Sequence, residues 1–431
     1  MYNKVKKILP ILIVALLLAM VRSSSDNKFP SNDEVQHFLD WYWDRPLAAQ
    51  GHPPSTLNAL EASLEPEACK RCHPSQFADW EKSRHARAMG PGVYGQILDM
   101  TEDEYQNCLD CHAPLKEQAD TLAKTRFYGG IKPLGGASPT QVSTPVSEHL
   151  HKKGLICSTC HLRGYQWFGP PRRPDLPPLT SESRLPHNGW NSHKAFEDSR
   201  FCAACHQFPA NGYAINGKLL ENTYNEWKES PQAETGQTCQ SCHMPNRRHL
   251  WRGIHDPKAV RSGVDIQVSP VKITDGFVST QLSMTNTATG HYFPTYVTPK
   301  IVMQAYQENK QGKLLENTLQ QTIIERHLSL DLSTEYFDTR LAPGQTAILN
   351  YQAPLKPQTT TLVLIIKVEP DAFYTRLYQT LLEEDFTDKG TTLILQALAE
   401  STASNFTLYQ KRHLVFPGAS PLESPNGARL I

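Results

Sequence analysis

Beyond about Val260 the chain alternates apolar and polar residues. Val264, Ile266 and Val268 bracket Asp265 and Gln267, Val278, Thr280, Leu282 and Met284 repeat the pattern, and Phe406 and Leu408 resume it. A period of two marks a strand with one buried face, so each stretch predicts β-structure. Thr361 to Val368 is apolar on both faces, which predicts a central strand. Leu341-Ala-Pro-Gly344 reads as a turn before a further strand from Thr346 to Tyr351. Before the last strand, Asp371 caps a predicted helix on which Phe373, Leu377 and Leu381 form one ridge and Tyr374, Tyr378 and Leu382 a second. Residues 261–431 are therefore predicted to be an Ig-like β-sandwich with a helical insertion. This part has no cysteine and no catalytic constellation.

Residues 26–260 predict something different: helices and loops with little regular structure. Pro74 suits the first turn of a helix from Ser75 to Met89. Thr101-Glu-Asp-Glu104 and Thr223-Tyr-Asn-Glu226 read as capping boxes. The proline-rich stretch from Gly164 to Pro186 predicts an extended loop. A faint repeat relates Phe77-Ala-Asp-Trp80-Glu-Lys-Ser83-Arg-His85-Ala86 to Tyr224-Asn-Glu-Trp227-Lys-Glu-Ser230-Pro-Gln232-Ala233, with Gln232 where the first copy has His85. At the N-terminus, Lys4, Lys6 and Lys7 precede an apolar stretch from Ile8 to Val21, short for a spanning helix. Residues 1–25 are expected to be a signal peptide, with an uncleaved anchor as the alternative because the cleavage signal is imperfect.

Candidate chemistry is confined to this first part. All ten cysteines fall in five Cys-x-x-Cys-His motifs: Cys69/Cys72/His73, Cys108/Cys111/His112, Cys157/Cys160/His161, Cys202/Cys205/His206 and Cys239/Cys242/His243. Two thiols three positions apart reach the two vinyl groups of one porphyrin, and the next residue offers its imidazole to the iron. Zinc ribbons would need two cysteine pairs per site, which five pairs do not share evenly. A redox disulfide would not place a histidine after every second cysteine. The expectation is five covalent c-type haems, each replacing side chains in the core. That suits an apolar content of only 39%.

Haem attachment of this kind implies export to the periplasm. The 43 basic and 43 acidic residues cancel, so charge gives no argument for nucleic acid. The expected partners are redox proteins that donate and accept electrons, with membrane contact only through an uncleaved N-terminal segment.

An iron with two histidines passes electrons, whereas one with a vacant position binds a small molecule. Distal candidates therefore decide between carrier and enzyme. His85 follows the first motif closely, beside Trp80 and Ser83. One of His149 and His151, one of His187 and His193, and one of His249 and His255 are expected to serve; His151, His187 and His255 are taken. His291, in the turn Thr289-Gly-His-Tyr-Phe-Pro294, is the candidate for a remaining iron. Each competes with a bland reading as a surface or turn histidine, and His37, His52, His327 and His413 are read only that way.

Trp41-Tyr-Trp-Asp-Arg-Pro-Leu-Ala-Ala-Gln50, Cys72-His-Pro-Ser-Gln-Phe-Ala-Asp-Trp80, Ser83-Arg-His-Ala-Arg-Ala-Met89, Asn222-Thr-Tyr-Asn-Glu-Trp227 and Cys239-Gln-Ser-Cys-His-Met-Pro245 carry a family resemblance. Over roughly residues 38 to 300 the chain resembles periplasmic multihaem c-type cytochromes related to the tetrahaem cytochrome of hydroxylamine oxidation. The resemblance implies electron transfer through stacked, mostly bis-histidine haems, with His85 matching a distal ligand position. A fifth motif and the C-terminal β-region depart from it. Two other readings stay open: an oxidoreductase acting on a small nitrogen or sulfur compound at one five-coordinate haem, and a subunit of a larger electron-conducting assembly.

Overall fold

The computed structural model describes residues 33–128, 146–175, 185–383 and 388–415, so the predicted leader lies outside the described residues. No helix among the described residues is long and apolar enough to cross a membrane. The chain forms two compact units. One comprises Met1–Gly253, Leu328–Glu335 and Tyr374–Ser401; the other comprises Ile254–His327, Tyr336–Phe373 and Thr402–Ile431. The chain thus passes between units at Gly253 rather than at residue 260, and most of the helical insertion groups with the first unit.

Short helices and loops make up most of the first unit. Asp33 caps Glu34–Tyr42 by accepting from the Val35 and Gln36 amides. Pro74 opens a helix as expected, but Pro74–Trp80 ends early and a separate short turn, His85–Arg87, follows. Thr101 and Glu104 form the predicted capping box of Glu102–His112, the Thr101 amide donating to Glu104 Oε2 at 2.6 Å. The second predicted box is not formed, because helix Thr223–Lys228 has Asn222 at its N-cap. Within the proline-rich stretch, Gln166–Gly169 is a strand pairing with Leu162–Arg163 and Asn191–Ser192, while residues 176–184 lie outside the described residues.

The internal repeat is real in three dimensions. Ser83 Oγ donates to Trp80 O at 2.7 Å and accepts from the Ala86 amide. Ser230 Oγ donates to Trp227 O at 2.6 Å and accepts from the Ala233 amide. Each indole Nε1 also donates to a backbone carbonyl, that of Leu155 in the first copy and Gln237 in the second.

Two helices occupy the insertion, Ala372–Leu381 and Asp388–Ala403, where periodicity predicted one. Their packing in the first unit depends on glycine. A Cβ on Gly92 would lie 2.0 Å from Tyr378 Oη, and one on Gly95 would lie 3.1 Å from Ile394 Cδ1. Helix Pro91–Ile97 accepts them only because both positions lack a side chain.

The second unit is a sandwich of two antiparallel sheets. The two sheets are built from β1 (Val264–Val268), β2 (Lys272–Thr274), β3 (Phe277–Asn286), β4 (Lys300–Glu308), β5 (Gln320–Ile324), β6 (Thr346–Pro354), β7 (Thr361–Glu369) and β8 (Phe406–Leu414). One sheet runs β5-β4-β7-β8; the other runs β6-β3-β1, with β2 also on β3. Val278, Leu282, Met284 and Leu349 from one sheet meet Ile301, Met303, Leu364 and Ile366 from the other in a single apolar core. β7 is central, as its apolar run predicts, and Val363 and Ile365 on its opposite face are buried too.

Candidate functional site

Four of the five motifs close a helix on their histidine: Glu102–His112, Cys157–His161, Arg200–His206 and Cys239–His243. A helical turn brings cysteines at i and i+3 to one face with the following imidazole beside them. The first motif differs, with His73 standing at the N-cap of Pro74–Trp80. All ten thiols are free of disulfides.

The thiols are not equally sheltered. Eight are half-buried, but Cys72 and Cys242 are exposed. The contrast is clearest within the fifth motif. Helix Cys239–His243 is five residues long and none of them is buried. Cys242 Sγ lies 3.8 Å from Ser241 Oγ and 4.0 Å from Gln237 Oε1, both polar neighbours close in sequence. Cys239 is the covered one, its amide donating to Ser199 Oγ at 3.0 Å.

Three motif imidazoles are anchored through Nδ1. His112 bonds to Ala88 O at 2.6 Å, His161 to Phe168 O at 2.8 Å and His243 to Arg252 O at 2.8 Å. A ring that donates Nδ1–H to a carbonyl fixes its own tautomer and presents Nε2 as a lone pair for a metal. Burial holds the His112 and His161 rings below the usual imidazole pKa, keeping them in the neutral form that ligates.

Distant histidines face three of the motif rings. His73 and His187 have ring centroids 6.5 Å apart, His206 and His85 6.2 Å, and His161 and His249 6.1 Å. Two imidazoles each about 2 Å from a shared metal through Nε2 would have centroids roughly 6.4 Å apart. The residues present therefore fit an iron held between two histidines at three places. His187 also donates Nδ1–H to Gly189 O at 2.8 Å, in a loop where His187 itself takes φ 44°. Desolvation lowers His85 to about 3 and His249 to about 4, with the facing histidines as the next cause.

The remaining candidates sit elsewhere. His151 is fully buried, with Nδ1 3.3 Å from Thr121 Oγ1 and Nε2 without a partner. Its nearest ring is Tyr94 at 5.6 Å, and burial lowers it to about 3. His149 is the N-cap of the turn Leu150–Lys153. His193 caps Lys194–Glu197 through Nδ1 and stacks on Phe38, centroids 3.8 Å apart. His255 is committed through Nε2 to Asp371 Oδ2 at 2.9 Å, so of His249 and His255 it is His249 that faces a motif ring. His291, in the second unit, donates Nδ1–H to Tyr292 O at 2.8 Å, and burial lowers its pKa. No imidazole faces His112 among the described residues.

Thiols of different motifs lie side by side: Cys69 with Cys157, Cys111 with Cys205, and Cys202 with Cys239. Arg45 spans the middle pair, 3.4 Å from Cys111 Sγ and 2.9 Å from Cys205 Sγ. Sequence reading passed over Arg45 and also over Trp251, whose ring is 4.7 Å from His85 and 5.0 Å from His249. No motif marks either residue. The one available signal for Trp251 was its place two residues beyond a candidate ligand.

Residues 68–129, spanning the first two motifs, match the model of the family described as cytochrome c554 and c-prime. The fold is similar to that of a penta-heme cytochrome c552 from Thermochromatium tepidum, known from a crystal structure. That likeness has a TM-score of 0.55 at 16% sequence identity and covers 82% of this chain and 100% of the other. No curated protein matches the chain.

Proposed function

We propose that this chain is an exported multihaem c-type cytochrome that carries electrons through five covalently attached haems. The observation that supports it most is the set of three imidazole pairs, each a motif histidine and a partner far along the chain, separated by the width of one metal ion. The ligand pairs are His73 with His187, His206 with His85, and His161 with His249. When bound, the haems supply one-electron chemistry between the ferric and ferrous states. The chain's own residues attach them through thioethers, hold the imidazoles neutral by burial, and orient the motif rings through backbone carbonyls. For a remaining iron we propose His291, whose Nδ1 is occupied by its own turn.

A second reading attaches to His112. Its lack of a facing imidazole among the described residues favours an open position at that iron, where a small nitrogen or sulfur compound would bind.

Electron paramagnetic resonance of the oxidised holoprotein tests both readings. The carrier reading expects mostly low-spin iron. It also expects one added high-spin, CO-binding haem in each of His85→Ala, His187→Ala and His249→Ala, with covalent haem unchanged. His193→Ala and His255→Ala should leave the spectrum as it was. Unchanged spectra in the first three variants would sink the ligand assignment. A native high-spin haem that turns over nitrite or hydroxylamine would move the protein to the enzyme reading.

A further inference from the structure

Within the first unit thiols of different motifs lie close together. Cys69 lies beside Cys157, which brings the first and third motifs together. Cys205 lies beside Cys111 and Cys202 beside Cys239, which gathers the second, fourth and fifth. Cys160 of the third motif in turn acts electrostatically on both Cys202 and Cys205 of the fourth, so the two sets of motifs adjoin.

Trp251 lies between two of the proposed ligand pairs. Its indole meets His249, the partner of His161, at 5.0 Å and 88°, and meets His85, the partner of His206, at 4.7 Å and 70°. Both are edge-to-face contacts of the kind aromatic rings prefer. The Trp251 amide also donates to His243 O at 3.0 Å, and the next residue's carbonyl accepts from His243 Nδ1. One short segment therefore touches the proposed ligands of three irons.

The segment is held there at a cost. Trp251 has φ 40°, a left-handed conformation that a bulky side chain rarely adopts. Asn246 and Arg247 are left-handed as well, at φ 55° and 61°. Arg248 pairs with Asp79 at 2.6 Å and Arg247 with Glu197 at 2.6 Å, tying the segment at both sides of the turn. Backbone strain of this kind persists only where surrounding contacts over-determine it.

We infer that Trp251 is an electronic contact between two of the proposed haem sites, coupling His249 at one to His85 at the other. The inference rests on the ligand pairs of the carrier reading. With haems bound, the one-electron loss at the site of His161 and His249 would equal the one-electron gain at the site of His206 and His85, and the indole would be neither oxidised nor reduced.

The test compares the holoprotein with Trp251→Leu and Trp251→Phe. A sub-stoichiometric pulse of reductant is given, and rapid-freeze electron paramagnetic resonance follows two low-spin irons separately. Their signals are assigned beforehand as those lost in His249→Ala and in His85→Ala. The expected result is intact haem content and low-spin count, a several-fold slower redistribution between those two irons in Trp251→Leu, and a rate in Trp251→Phe between those of Trp251→Leu and the parent. Should Trp251→Leu lose a ligand, Trp251→Phe alone decides, because the smaller ring still slows the step if the contact carries it. Parent-like rates in a variant with intact haems overturn the inference while leaving the carrier reading standing. If the two histidine variants remove no low-spin signal, the ligand pairs themselves fail and the carrier reading falls first.

Discussion

The two units bury their apolar residues in opposite ways. In the sandwich, alternating positions from both sheets converge on one continuous core. In the first unit the apolar residues are split between separate clusters, one around Phe77, Trp80 and Leu150 and another around Tyr94, Ile97 and Leu109. Buried polar atoms without partners, among them His151 Nε2, Tyr94 Oη and Glu221 Oε2, are found in the first unit as well. A protein interior does not ordinarily tolerate such atoms. The contrast teaches that the sandwich shares one continuous side-chain core, whereas the first unit has only separate clusters, as the proposed haems between them would require.

Three experiments would break or sharpen that contrast. The largest effect is expected when haem attachment is prevented throughout. The first unit should then lose its cooperative folding, since each haem missing removes a large apolar surface from its interior. The β-signal of the sandwich should persist in far-ultraviolet circular dichroism. Loss of both signals together would mean that the sandwich does not stand by its own core.

Leu364→Ala addresses the other unit. Leu364 is fully buried on the central strand β7. Its truncation should destabilise the sandwich by about 2–5 kcal/mol, from lost burial and the cavity left behind. Denaturant unfolding would give the magnitude, and the haem absorption of the native protein should not change. A shift in the haem spectrum would argue against separate cores.

The smallest effect concerns Glu221, whose Oε2 is buried without a partner. Burial, with smaller contributions from Cys111 and Glu226, raises its pKa from 4.5 to about 8. A carboxyl with a raised folded pKa contributes stability that is full below 4.5 and is lost as pH climbs towards 8, because the unfolded chain gives up its proton first. Glu221→Gln stays neutral throughout. The melting temperature of the variant relative to the parent should therefore rise between pH 5 and pH 8 and be flat below about 4.5. A difference that does not vary with pH would place the Glu221 carboxyl in a solvated, ionised state.

Much of the second unit was legible because alternation is a local signal. β1, β3 and β7 stand where Val264, Val278 and Thr361 begin their patterns. The insertion was only half legible: helix Asp388–Ala403 does bury a ridge of Ile394, Ala397 and Leu398 that the sequence reading passed over, and its place beside Gly95 follows from a contact between residues far apart in the chain. In the first unit, prolines and caps predicted where helices start but not how far they run, so Pro74–Trp80 stops short of Met89.

The same division holds at the candidate site. Cys-x-x-Cys-His is complete within five residues, because thioether attachment and the first imidazole depend on one helical turn; sequence alone therefore determined where each proposed cofactor is attached. It did not say how deeply each thiol is set, and the exposure of Cys242 beside the half-buried Cys239 came from the packing around their helix. The facing histidine is under no local constraint at all. His187 meets His73 from far along the chain, and nothing in the pattern around His249 and His255 said which would face a motif ring. Both lie in the same stretch after the fifth motif. Only the folded chain separated them, turning His249 towards His161 and His255 towards Asp371, because the partner of a ligand is set by which elements pack together.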